Sequence, residues 1–116
     1  MKENITISQL EEMANKYSLQ IHPWGWTTRF DLKIDSGGLL LARIDYNQTN
    51  DSIMNIQMPN SYMLSLRCEK MRCIMAVGWV TIQTLNAFEK QTKKLIENFK
   101  KCLVEQRKDF LEKDFD

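Results

Sequence analysis

The chain has one histidine, His22, so any Ser-His-Asp or Cys-His relay would have to run through it. It stands beside Pro23, ahead of the first extended stretch, with no nucleophile signature around it. The sequence therefore predicts no catalytic residue and a non-enzymatic protein. Asp31, Asp35 and Asp45 are the carboxylates a hard cation would need. Basic residues stand ready to neutralise them as surface pairs, so neither a metal nor a cofactor is expected. Asp31-Leu32-Lys33 has the D-x-K spacing of metal-dependent nucleases, but those enzymes also need an acidic residue on a preceding strand, and here the motif lies on the first strand. Ser36-Gly37-Gly38 resembles a phosphate cradle in composition only. Such a cradle leads into a helix, and this one leads into a strand, as a hairpin turn does.

The strongest binding constellation is aromatic. Trp24 and Trp26 hold alternate positions on one strand and could stack bases, with Arg29, Arg43, Arg67, Lys70 and Arg72 supplying charge. That constellation is the alternative reading, single-stranded nucleic-acid binding. Two observations stand against it. Both tryptophans continue the period of Phe30 and Leu32, which places them by default in the core, and Arg29 and Arg43 have carboxylates to pair with. Sixteen basic against fifteen acidic residues leave a net charge of +1, well short of the basic balance of non-specific nucleic-acid binders. The seven methionines, including Met54, Met58, Met63, Met71 and Met75, read as core filling, with Met63 on the opposite strand face.

The elements that would position these groups follow from periodicity. Ser8 and Glu11 have capping-box spacing and predict a helix over 9–17. Period two from Trp24 to Ile34, a Ser-Gly-Gly turn and a second extended run from Leu39 to Tyr46 predict a β-hairpin. A three-residue loop pairs Ile34 with Leu40, Leu32 with Ala42, Phe30 with Ile44 and Thr28 with Tyr46, and on the other face Arg29 with Asp45 and Asp31 with Arg43. A two-residue loop would set Phe30 against Arg43, so the first register is preferred. Met54, Ile56 and Met58 alternate in a third strand. Tyr62 to Cys68 and Met71 to Val77 read as a further hairpin through Glu69-Lys70, pairing Leu66 with Cys73 and Leu64 with Met75. That pairing opposes Arg67 to Arg72, so a helix through Met63–Met75 competes with it. Asn86 and Glu89 repeat the capping-box spacing, and Phe88, Leu95, Ile96, Phe99, Leu103 and Phe110 predict a helix over 84–113.

The expected fold is α+β in one domain over residues 1–116: an N-terminal helix, an antiparallel meander of four or five strands, and a long C-terminal helix packed on one sheet face. At 1.5 Å per residue that helix would be about 40 Å long against a domain on the order of 35 Å across. Overhanging turns would present Phe99, Leu103, Phe110, Leu111 and Phe115 to a partner or a second copy; a bent helix would bury them within the chain. Cys68, Cys73 and Cys102 lack CxxC or Cys/His ligand spacing and read as reduced thiols. With no apolar stretch long enough for a membrane span, the expected location is cytoplasmic, with no membrane partner. The order helix, strands, helix also occurs in double-stranded-RNA-binding domains, but their basic helix-start motif is absent here. The functional expectation is a small protein-binding or regulatory domain of the inhibitor or immunity type, an accessory protein of a bacterium or phage. It would act through its C-terminal helix or a sheet face.

Overall fold

A computed structural model of the chain describes residues 5–25, 28–34, 39–50, 52–65 and 73–114, with side chains described as far as residue 108. The element order is α1 (Ile7–Lys16), β1 (Gln20–Pro23), β2 (Arg29–Lys33), β3 (Leu40–Tyr46), β4 (Ile53–Met58), β5 (Ser61–Leu64), β6 (Ile74–Val77), β7 (Val80–Ile82) and α2 (Leu85–Asp114). Strands β1, β2, β3, β4 and β7 form one antiparallel sheet in that order, and β5 and β6 form a separate hairpin inserted between β4 and β7. The fold is thus the expected α+β arrangement.

The β2–β3 pair shows how charge and apolar alternation set register. Arg29 lies opposite Asp45, Phe30 opposite Ile44, Asp31 opposite Arg43 and Leu32 opposite Ala42, as the alternation requires. The pairing then shifts. Lys33, not Ile34, faces Leu40, and the Ile34 amide donates to the Leu39 carbonyl at 2.9 Å. The additional residue is Leu41, and the bulge lets the consecutive Leu41 and Ala42 both enter the core, which a regular strand forbids. A second bulge at Asp45/Tyr46 shifts the register so that Ile53 lies opposite Tyr46; Met54, expected inside, is 56% exposed while Ile53 is buried.

Three further expectations are corrected. The chain from Trp24 onward is not one strand: Gln20–Pro23 is a strand of its own, and the Trp24 amide donates to the Arg29 carbonyl at 3.0 Å across the turn into β2. The β5–β6 register sets Leu64 opposite Ile74, not Met75; it pairs the exposed Met63 with the exposed Met75 and so keeps like faces together. Met75 therefore does not fill the core. Strands occupy 61–64 and 74–77, where the competing helix would have run, while Leu66, Cys68, Met71 and the Glu69-Lys70 turn lie outside the described residues. Finally, Cys73 is disulfide-bonded, which overturns the reading of reduced thiols at that position. Cys102 is free and buried, and burial pushes its thiol pKa up.

The helix caps lie two residues before the capping-box candidates, while α2 starts within one residue of the expected position. Thr6 caps α1: its hydroxyl accepts from the Gln9 amide at 3.3 Å, and its own amide donates to Gln9 Oε1 at 2.9 Å. Ser8 has the same sequence spacing, but Ile5 is buried and its carbonyl accepts from Ile53 N–H at 2.9 Å, which pins the chain just ahead of Thr6. Thr84, not Asn86, caps α2, accepting from the Ala87 amide at 3.0 Å. The two helices meet at Glu89, whose carboxylate accepts from Lys16 Nζ at 2.6 Å and Tyr17 Oη at 2.8 Å; these bonds hold it below the usual carboxylate range.

Helix α2 packs on β5, β6 and β7, burying Phe88, Thr92, Leu95 and Cys102, and Gln91 Nε2 donates to the Pro59 carbonyl at 2.7 Å. Cys102 is its last buried residue among those whose side chains are described. The molecule measures 58 × 29 × 24 Å and its radius of gyration is 16.1 Å, where a compact chain of this length has about 13 Å. The molecule is therefore elongated. No helix among the described residues is long and apolar enough to cross a membrane.

Gly78 closes the hairpin before β7 at φ +68°, and a Cβ there would stand 3.2 Å from Asn60 Cβ. Gly78→Ala should lower stability by about 1–2 kcal/mol. Urea unfolding followed by circular dichroism checks this, and an unchanged midpoint would refute it.

Candidate binding face of the sheet

Register places Arg29, Asp31 and Lys33 of β2, Arg43 and Asp45 of β3, Asn55 and Gln57 of β4, and Thr81 of β7 on one face, with Gln20 and His22 of β1 beside them. Phe30, Leu32, Ala42, Ile44, Ile56 and Ile82 occupy the other face and are buried in the core. The polar face carries two ion pairs, Arg29 Nε to Asp45 Oδ1 at 2.6 Å and Arg43 Nε to Asp31 Oδ1 at 3.2 Å. The bond to Asp45 raises the Arg29 pKa further. Asp31 is only 6% exposed, so the Arg43 guanidinium is the group that neutralises a buried carboxylate.

Two tryptophans reach this pair from opposite edges of the sheet. Trp24 follows β1, and its ring centroid lies 4.7 Å from Arg43 Cζ and 5.2 Å from Arg29 Cζ. Trp79 precedes β7, with its ring centroid 5.9 Å from Arg43 Cζ. Both distances to Arg43 fall within cation–π range. Arg43 is therefore held at the middle of a Trp24–Arg43–Trp79 row by one carboxylate and two rings. The rings stay accessible, Trp24 at 40% and Trp79 at 52%. Trp24, expected in the core, is at the surface because the chain turns at Gly25, with φ +52°, and leaves the strand period.

The other sequence-based site residues are placed as follows. Phe99 is half-buried and packs edge-on against Tyr62, with ring centroids 6.4 Å apart, so it serves the chain's own core. Leu103 is half-buried. Phe110 and Leu111 lie in the last turns of α2, and their side chains are not described. Trp26, Arg67, Lys70, Arg72 and Phe115 fall outside the described residues. His22 is exposed, 3.3 Å from Gln20 Oε1.

Sequence reasoning missed Trp79. The signal was present: Trp79 and Thr81 alternate with Val80 and Ile82, which marks Trp79 for the polar side of an edge strand. The described face offers aromatic surface, planar cations and amides, and among the described residues no cluster of His, Cys, Asp or Glu could hold a metal ion. No protein-family model, curated protein or solved structure matches this chain.

Proposed function

We propose that the chain is a non-enzymatic protein-binding domain, regulatory in the manner of an inhibitor or immunity protein, that docks through the polar sheet face centred on Trp24, Arg43 and Trp79. The observation that carries this reading is the row itself. Tryptophan and arginine are the residue types that dominate binding energy at protein interfaces, and here they sit side by side, fixed and solvent-accessible. A rigid aromatic anchor loses little conformational entropy when a partner covers it. Because Asp45 and Asp31 neutralise Arg29 and Arg43, the face favours a neutral apolar patch on a partner protein over a phosphate chain.

The same residues support single-stranded nucleic-acid binding as the second reading, since exposed indoles stack on bases. One pair of experiments separates the two. Affinity capture with the wild-type protein should retain a specific protein that a folded Trp24→Ala, Trp79→Ala variant loses, and oligo(dT) should leave tryptophan fluorescence unchanged. Quenching by oligo(dT) that weakens steeply with salt would instead assign the face to nucleic acid.

A further inference from the structure

A cleft of about 640 Å³ opens between the start of α1 and the β1–β2 end of the sheet. Ile7 and Glu11 of α1 form one wall, Ile21 and Pro23 of β1 another, and Phe30 and Tyr46 the floor. The two floor rings are 5.9 Å apart and inclined at 49°. Ile7 and Glu11 are four residues apart on the helix and so project to the same side. The volume falls within the range of small-molecule pockets, which combine apolar walls with a few polar groups that set orientation.

The charges select the ligand. Arg29 also borders the cleft, but its guanidinium is engaged by Asp45. Thr6 and Gln9 occupy each other's amides at the helix start, which removes two of its anion donors. Glu11 has no ion-pair partner among the described residues. A carboxylate and two aromatic rings lining one cleft suit a cation attached to an apolar body, since an ammonium gains from both kinds of group. We infer that this cleft binds a small organic ammonium ion carried on an aromatic or branched aliphatic group. The cleft borders the polar face at Arg29, but none of Trp24, Arg43 and Trp79 lines it.

The test is a titration of the ¹⁵N-labelled protein with 2-phenylethylamine, with 2-phenylethanol and 3-phenylpropanoate as neutral and anionic counterparts. The amine should shift the amides of Ile7, Ile21 and Tyr46, and the anion should not. Glu11→Gln, at an exposed position where the fold is not at stake, should weaken amine binding by about tenfold. Trp79→Ala should leave it unchanged. The inference is overturned if the amine moves none of these amides, if the alcohol binds as tightly as the amine, or if Glu11→Gln binds as well as wild type.

Discussion

Phe88→Ala should destabilise the protein by about 3–5 kcal/mol, the usual cost of truncating an enclosed phenylalanine. Phe88 is fully buried in the first turn of α2, one residue before the Glu89 that ties the two helices together. Among the described residues it is the largest fully buried side chain. Because domains of this size are stable by only about 5–15 kcal/mol, this one change would remove a large fraction of the total. A urea denaturation curve should show a lower midpoint with its slope preserved. Val104→Ala, at an exposed position on the same helix, should stay within about 0.5 kcal/mol of wild type. If the Phe88 variant unfolded at the wild-type midpoint, α2 would not anchor the core.

Arg43→Ala should cost about 2–3 kcal/mol, somewhat less than breaking a fully buried ion pair because Arg43 itself keeps contact with water. The cause is the residue left behind. Asp31 would remain buried without its cation, and Trp24 would lose one of the two guanidiniums that flank it. Adding Asp31→Asn should recover much of the loss, since the charge that needed neutralising is gone, and a thermodynamic cycle over the four proteins measures the coupling. Strict additivity of the two changes would show that the pair is not coupled. Arg43→Lys should keep more of the stability than of the partner binding, because a lysine lacks the planar face that lies between two indoles.

What could be read in advance depended on how many independent constraints acted on each segment. In β2–β3 the charges on one face and the apolar residues on the other both demanded one register, and the structure has it from Arg29 to Leu32. Beyond Leu32 the bulge follows from the need to bury Leu41 and Ala42 together, a tertiary requirement that strict alternation hides. Strand β1 left no periodic trace: all four of its residues are exposed, and one is a proline suited to a sheet edge. The cap of α1 was ambiguous because Thr6 with Gln9 and Ser8 with Glu11 have the same spacing; contact with β4 decided between them. At the candidate site, Arg29 and Arg43 were correctly paired with carboxylates, whereas Trp24 was drawn into the core by a period that ends before it. Trp79 gained its significance only when the sheet brought two edges to one arginine.

At 30 residues, α2 is about 45 Å long. Only the 58 Å axis of the molecule can hold it, so the helix lies close to that axis. The protein therefore rotates in solution as a rod-like body, faster about the helix than end over end. Amide vectors in α2 point along the helix, so only the slower end-over-end tumbling reorients them, while those of the strands point in other directions. Two stretches of equally rigid backbone would then lose nuclear spin coherence at different rates, from shape alone.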